Sequence, residues 1–142
     1  MDDAQSRQLD RRWKAQLRRE QLHFAAQDGD LTKVKELLAV GFPLNRFDEI
    51  GHTPLHYAVM EDHLDVARHL LEAGADPNAN CEQTIGNTPL ADGIATCSFE
   101  MAELLVRHGA DPTIRGWMQL NAIDRVRDRK DPGRFLRLFG VK

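Results

Sequence analysis

Gly51-His52-Thr53-Pro54-Leu55-His56-Tyr57-Ala58 is the stretch on which the fold turns. Threonine followed by proline opens a helix: the Thr53 hydroxyl can cap free backbone N–H groups, and Pro54 falls at the first helical position, where its missing N–H costs nothing. The stretch has copies. Gly86-Asn87-Thr88-Pro89-Leu90 repeats its first half 35 residues on, and Gly74-Ala75-Asp76-Pro77 returns as Gly109-Ala110-Asp111-Pro112 at the same displacement. Upstream, Leu22-His23-Phe24-Ala25 matches Leu55-His56-Tyr57-Ala58 at a displacement of 33. A period of this size means a stack of like units.

Each copy continues with apolar residues at i, i+3, i+6 and i+7: Leu31, Val34, Leu37, Leu38, then Leu64, Ala67, Leu70, Leu71, then Phe99, Ala102, Leu105, Val106. That spacing is one face of a helix. Gly41, Gly74 and Gly109 end it, because glycine accepts the left-handed conformation of a C-terminal cap. A unit is therefore a short helix, a tight turn, a longer helix and a loop. One unit cannot bury both helices, so stability comes from stacking neighbours.

Residues 51–58, with Leu-Leu-Glu-Ala-Gly-Ala-Asp-Pro-Asn at 70–78, resemble the signature of ankyrin repeats. The resemblance covers residues 20–115 and, with degenerate ends, nearly the whole chain. It implies an all-α solenoid of about four helix-turn-helix units with short finger loops and a concave face that binds another protein. The expected division of the single domain is an N-terminal capping helix at 1–19, repeats at 20–47, 48–80 and 81–115, and a degenerate capping repeat at 116–142.

Several positions depart from the pattern. Glu20 and Gln21 stand where Thr53 and Pro54 stand one copy later, and nothing stops an upstream helix from running in. Leu9, Trp13 and Leu17 have i, i+4, i+8 spacing, so that helix is expected to pack on the first repeat or run into it, with Arg7, Arg11, Arg18 and Arg19 as a solvated outer face. The loop from Gly74 to Thr88 is two residues longer than that from Gly41 to Thr53, which places the insertion near Asn80-Cys81-Glu82-Gln83 in a finger. Insertions confined to one loop mark binding faces more often than packing adjustments. Ala91 replaces the histidine of the second copy, and Gly93 inside a helix costs about 1 kcal/mol relative to alanine. The third repeat is expected to be the less stable, its 86–98 segment opening first. At the end, Trp117, Leu120, Ile123 and Val126 read as one helical face, and Asp131-Pro132 as the start of another.

Hydrophobic residues make up 42% of the 142 residues and charged ones 29%, the balance of an ordinary globular chain. No window approaches a membrane span, and the polar stretch from Met1 to Arg12 lacks the apolar run of a secretory signal, so the expected compartment is the cytoplasm. Arginine outnumbers lysine by 14 to 5, a bias in keeping with a GC-rich bacterial gene. The net charge of −3 is unevenly spread: residues 1–20 carry +2, residues 124–142 carry +4, and residues 21–123 carry −9. Such a centre repels nucleic acid and attracts a basic protein surface.

Six histidines and two cysteines invite a chemical reading. A small hydrolase or metal-dependent enzyme would draw on Asp48, His52, His56 and Cys97. Nothing resembles a His-Glu-x-x-His or paired-cysteine site, and an acidic setting does not lower a thiol pKa. Catalysis, metal and cofactor are therefore not expected. The family's geometry implies a partner-binding surface of finger tips and first-helix positions: Asp28, Glu49, Ile50, His52, Met60, Glu61, Thr84, Ile85, Asn87 and Thr96, beside Ala95. Trp117 belongs with them as an anchor or packs under the shortened last finger. The expected protein is a monomer whose acidic face grips a basic partner, as a stand-alone inhibitor, immunity protein or regulator, without nucleic acid or membrane.

Overall fold

The computed structural model describes residues 2–84 and 86–141. Among them every regular element is helical: α1 (Asp3–Arg19), α2 (Gln21–Asp28), α3 (Leu31–Ala39), α4 (Pro54–Met60), α5 (Leu64–Glu72), α6 (Pro89–Gly93), α7 (Phe99–Arg107), a 3-10 turn at Trp117–Gln119, α8 (Ala122–Val126) and α9 (Pro132–Leu138). The pairs α2/α3, α4/α5 and α6/α7 are the three repeats, and α8/α9 closes the stack. First helices α2, α4, α6 and α8 pack in one row, second helices α3, α5, α7 and α9 in another. Between the rows runs one apolar layer that includes Leu22, Val34, Leu55, Val66, Leu70, Leu90, Ile94, Met101, Leu105 and Phe135.

Local chemistry fixes the helix ends. The Thr88 hydroxyl accepts from Ala91 N at 3.1 Å, Ser98 Oγ from Met101 N at 3.1 Å and Asn121 Oδ1 from Asp124 N at 2.8 Å. Thr53 reaches the same end through its neighbour, its backbone N–H donating to His56 Nδ1 at 3.0 Å. Gly41, Gly74 and Gly109 turn the chain at φ of 94°, 106° and 93°, so that Phe42, Ala75 and Ala110 N–H bond back to Leu37, Leu70 and Leu105 at 2.9–3.1 Å.

Three expectations are corrected. First, α1 runs into α2 through Glu20, with Glu20 N donating to Gln16 O and Phe24 N to Glu20 O at 3.0 Å each, but it does not cap the stack. None of its residues is buried, and Leu9 and Trp13 are 52% and 58% exposed. With no turn between them, α1 cannot fold back over repeat 1. Second, Trp117 to Val126 is not one helix. Met118 and Gln119 adopt φ of 58° and 60°, and the Asn121 cap starts α8 afresh. Third, Gly93 is not simply a weak point: a Cβ there would collide with the Val59 side chain and stand 3.2 Å from its carbonyl oxygen. The glycine lets α6 approach α4. Asp131 also precedes Pro132 as expected, yet its carboxylate pairs with Arg129 Nε at 3.1 Å instead of capping α9.

Candidate protein-binding face

The fingers are held by short polar side chains. Asp48 Oδ1 accepts from Ile50 N at 3.1 Å and His52 N at 2.9 Å, while the Tyr57 hydroxyl donates a short hydrogen bond to its other oxygen. This closes a turn whose tip is Glu49 and Ile50, both exposed. In the longer finger between α5 and α6, Thr84 N donates to Cys81 O at 3.0 Å, so the inserted residues form a turn of their own. Successive loops are also tied to each other: Asn45 Oδ1 accepts from Asp76 N at 2.8 Å and Asn78 Oδ1 from Asp111 N at 2.7 Å.

Beneath the fingers a polar network crosses the stack. His23 Nε2 lies 2.8 Å from Arg46 O and 3.1 Å from His52 O. His56 Nε2 donates to Asn87 O at 2.7 Å, and its Nδ1 accepts from Thr53, which assigns a neutral ring. Burial pushes the His56 pKa down to about 4. The His52 ring stacks on that of His56 at 5.1 Å. Asp92 Oδ2, 3.2 Å from His52 Nε2, raises the His52 pKa. Burial opposes ionisation of Asp92, but His52 and a 2.8 Å bond from Asn87 Nδ2 outweigh it and hold the carboxyl below its ordinary value.

The expected contact residues divide accordingly. Asp28, Glu49, Ile50, Glu61, Thr84, Thr96 and Trp117 are exposed, with Ile50 at 53% and Trp117 at 56%; His52 and Met60 are half-buried. Asn87 is corrected: it is 6% exposed and points inward, its Oδ1 accepting from Trp117 N at 2.9 Å. Ile85 lies outside the described residues. Trp117 does not pack beneath the last finger, because the turn that carries it is separate from α8.

The residues weighed for catalysis are otherwise occupied. Asp48 shapes a finger, His56 ties two repeats, and Cys97 is buried with its thiol pushed up to about 12, away from a reactive thiolate. Among the described residues no cluster of three or more His, Cys, Asp or Glu side chains has metal-binding geometry, and no helix is long and apolar enough to cross a membrane. Sequence reasoning missed Asp92 and the inward role of Asn87. The signal was available: Asp92 lies one helical turn beyond the Thr88 cap, on the helix that faces α4.

Comparison with protein families matches residues 22–116, about two thirds of the chain, to three copies of ankyrin repeats. Protein phosphatase 1 regulatory subunit 27 of Homo sapiens is 43% identical over 58 residues, 41% of this chain and 38% of that protein. A probable E3 ubiquitin-protein ligase, XBOS33, of Oryza sativa is 42% identical over 69 residues, 46% of this chain and 13% of its own length. Human Inversin is 44% identical over 59 residues, 41% of this chain and 6% of its own. The chain thus covers well under two thirds of these relatives, and what it shares with them is the repeat. The two-row helical stack, the glycine-ended helices, the histidine ties between repeats and the match over residues 22–116 together establish that the chain belongs to the ankyrin-repeat family.

Proposed function

We propose that this protein, a protein–protein interaction module by family, holds a basic protein partner against the acidic face formed by its finger tips and first helices. Its role is inhibition, immunity or regulation by occlusion, without catalysis, in the cytoplasm. One observation carries the charge preference: Asp28, Glu49, Glu61 and Glu82 are exposed and, among the described residues, form no ion pair. Carboxylates left free in a stretch of net charge −9 attract cationic groups and speed encounter. Ile50 and Trp117 supply exposed apolar surface among them, the composition of an interface centre with a polar rim. One relative is named a regulatory subunit, which is in keeping with a regulatory role.

The test is capture of a partner from native lysate, followed by its affinity at roughly 50 mM and 500 mM salt. Binding is expected to weaken with salt and to drop about tenfold or more in Glu49→Lys/Glu61→Lys. Affinity unchanged by both would overturn the electrostatic reading.

A further inference from the structure

Helix α1 is the least accounted-for part of the molecule. It is a formed helix of 17 residues with a capping box at Asp2, yet residues 2–14 are all exposed. In proteins most of a helix's stability comes from packing of its apolar face. That of α1 is the ridge Leu9, Trp13, Leu17, each one turn from the next. Arg12 and Lys14 flank the ridge on its two sides, Arg19 and Arg7 lie just beyond them, and Arg18 and Arg11 lie opposite. The helix carries six cationic side chains against two carboxylates. A single residue, Glu20, joins it to α2; Arg19 at its end lines a hollow with Asp48 and Glu49 of its own chain, while Leu9 and Trp13 further up stay 52% and 58% exposed.

We propose that α1 docks, ridge down, on the acidic finger face of a second copy of this chain, which gives its own α1 in return. The argument is charge complementarity within one sequence. A +2 terminus bearing an exposed tryptophan meets a face whose exposed carboxylates Asp28, Glu49, Glu61 and Glu82 and exposed apolar tip Ile50 match a basic amphipathic helix. Exchange about a two-fold axis uses the same pair of surfaces twice and closes at two copies. An anionic membrane is the weaker occupant, since a ridge three side chains long offers little apolar area to lipid. The reading departs from the expected monomer and rests on the acidic face proposed above.

The test uses the full chain and light-scattering mass across concentration and salt. Mass is expected to rise from 16.1 kDa to twice that value with concentration and to fall back as salt is added. Trp13→Ala is expected to weaken association about tenfold with unchanged circular dichroism. Arg12→Glu/Lys14→Glu and Glu49→Lys/Glu61→Lys should each remain monomeric alone. Mixed in equal amounts they should form dimers, because the mixed pair is complementary at both contacts. A chain that stays at 16.1 kDa, a mixture that stays monomeric, a dimer indifferent to Trp13→Ala, or a monomer that binds phosphatidylserine vesicles would each overturn the proposal. A nonaarginine peptide distinguishes the two readings: if it binds the wild type but not Glu49→Lys/Glu61→Lys while no dimer forms, the acidic face stands and the exchange fails.

Discussion

Gly93 shows how one position can carry opposite meanings in sequence and in space. By propensity, a glycine inside α6 weakens the helix, and alanine should stabilise it by about 1 kcal/mol. In the fold, the missing side chain is the gap through which α6 reaches Val59 on α4. Backbone and a branched side chain on a buried helix cannot both yield, so overpacking outweighs propensity. Gly93→Ala is expected to destabilise the protein by about 1–3 kcal/mol, measured as a lower denaturation midpoint with an unchanged slope. A raised midpoint would return the position to its propensity reading. Asp48 makes the same point: its place in the finger turn and its bond from Tyr57 depend on a fold that residues 48 and 57 do not describe by themselves.

At the scale of elements, legibility tracked repetition. Helices α2 to α7 were readable because three copies of one pattern constrain each other: Thr88-Pro89 confirms Thr53-Pro54, and Gly74 confirms Gly41. Outside the copies each segment is read alone, and there reasoning from period failed. The spacing of Leu9, Trp13 and Leu17 correctly gives a helix but is silent on what covers it. Trp117 to Val126 fits a helical stripe, yet the Asn121 cap competes and wins. The candidate face was legible in part, since exposure at finger tips follows from the family's geometry, whereas Asn87 turned inward because of residues 30 and 38 positions away. With Ala91 in place of the histidine, repeat 3 has no ring to tie it forward. Asn87 does this instead, accepting from Trp117 N at 2.9 Å and lying 3.5 Å from Arg125 Nη2. Arg129 adds a second tie, donating to Ile94 O and Cys97 O at 2.9 Å each. Asn87→Ala would leave the part-buried Trp117 N–H without its acceptor, at a cost of about 1 kcal/mol. Hydrogen exchange should rise at 117–126 and stay unchanged in α2; equal acceleration in both would refute a local tie.

The molecule as a whole is quasi-one-dimensional, so its cooperativity depends on the junctions between neighbours. The junction of repeats 2 and 3 is the one with the most polar character: His52, His56 and Asp92 meet there, and Asn87 continues the line into the closing unit. This makes folding stability sensitive to pH with a definite sign. The His56 pKa is lowered to about 4 from an unfolded value of 6.5. Its stabilising effect is therefore fully present above pH 6.5 and lost as pH falls towards 4. Burial lowers His23 in the same direction. His52 works oppositely: raised by Asp92, it contributes stability below its unfolded value, and that part is lost as pH rises through the folded one. Two buried neutral rings, His56 with its pKa displaced to about 4 and His23, act against the single His52–Asp92 pair, so acid should win. His56 alone accounts for about 2 kcal/mol of lost stability between pH 7 and pH 5. Urea unfolding at the two pH values should show that loss in the wild type. In His56→Gln, which keeps a donor towards Asn87 but cannot titrate, the loss should shrink by about that amount. Parallel pH dependence in the two proteins would mean that the junction is not where protons act, and that the acid sensitivity of the stack lies in its surface carboxylates instead.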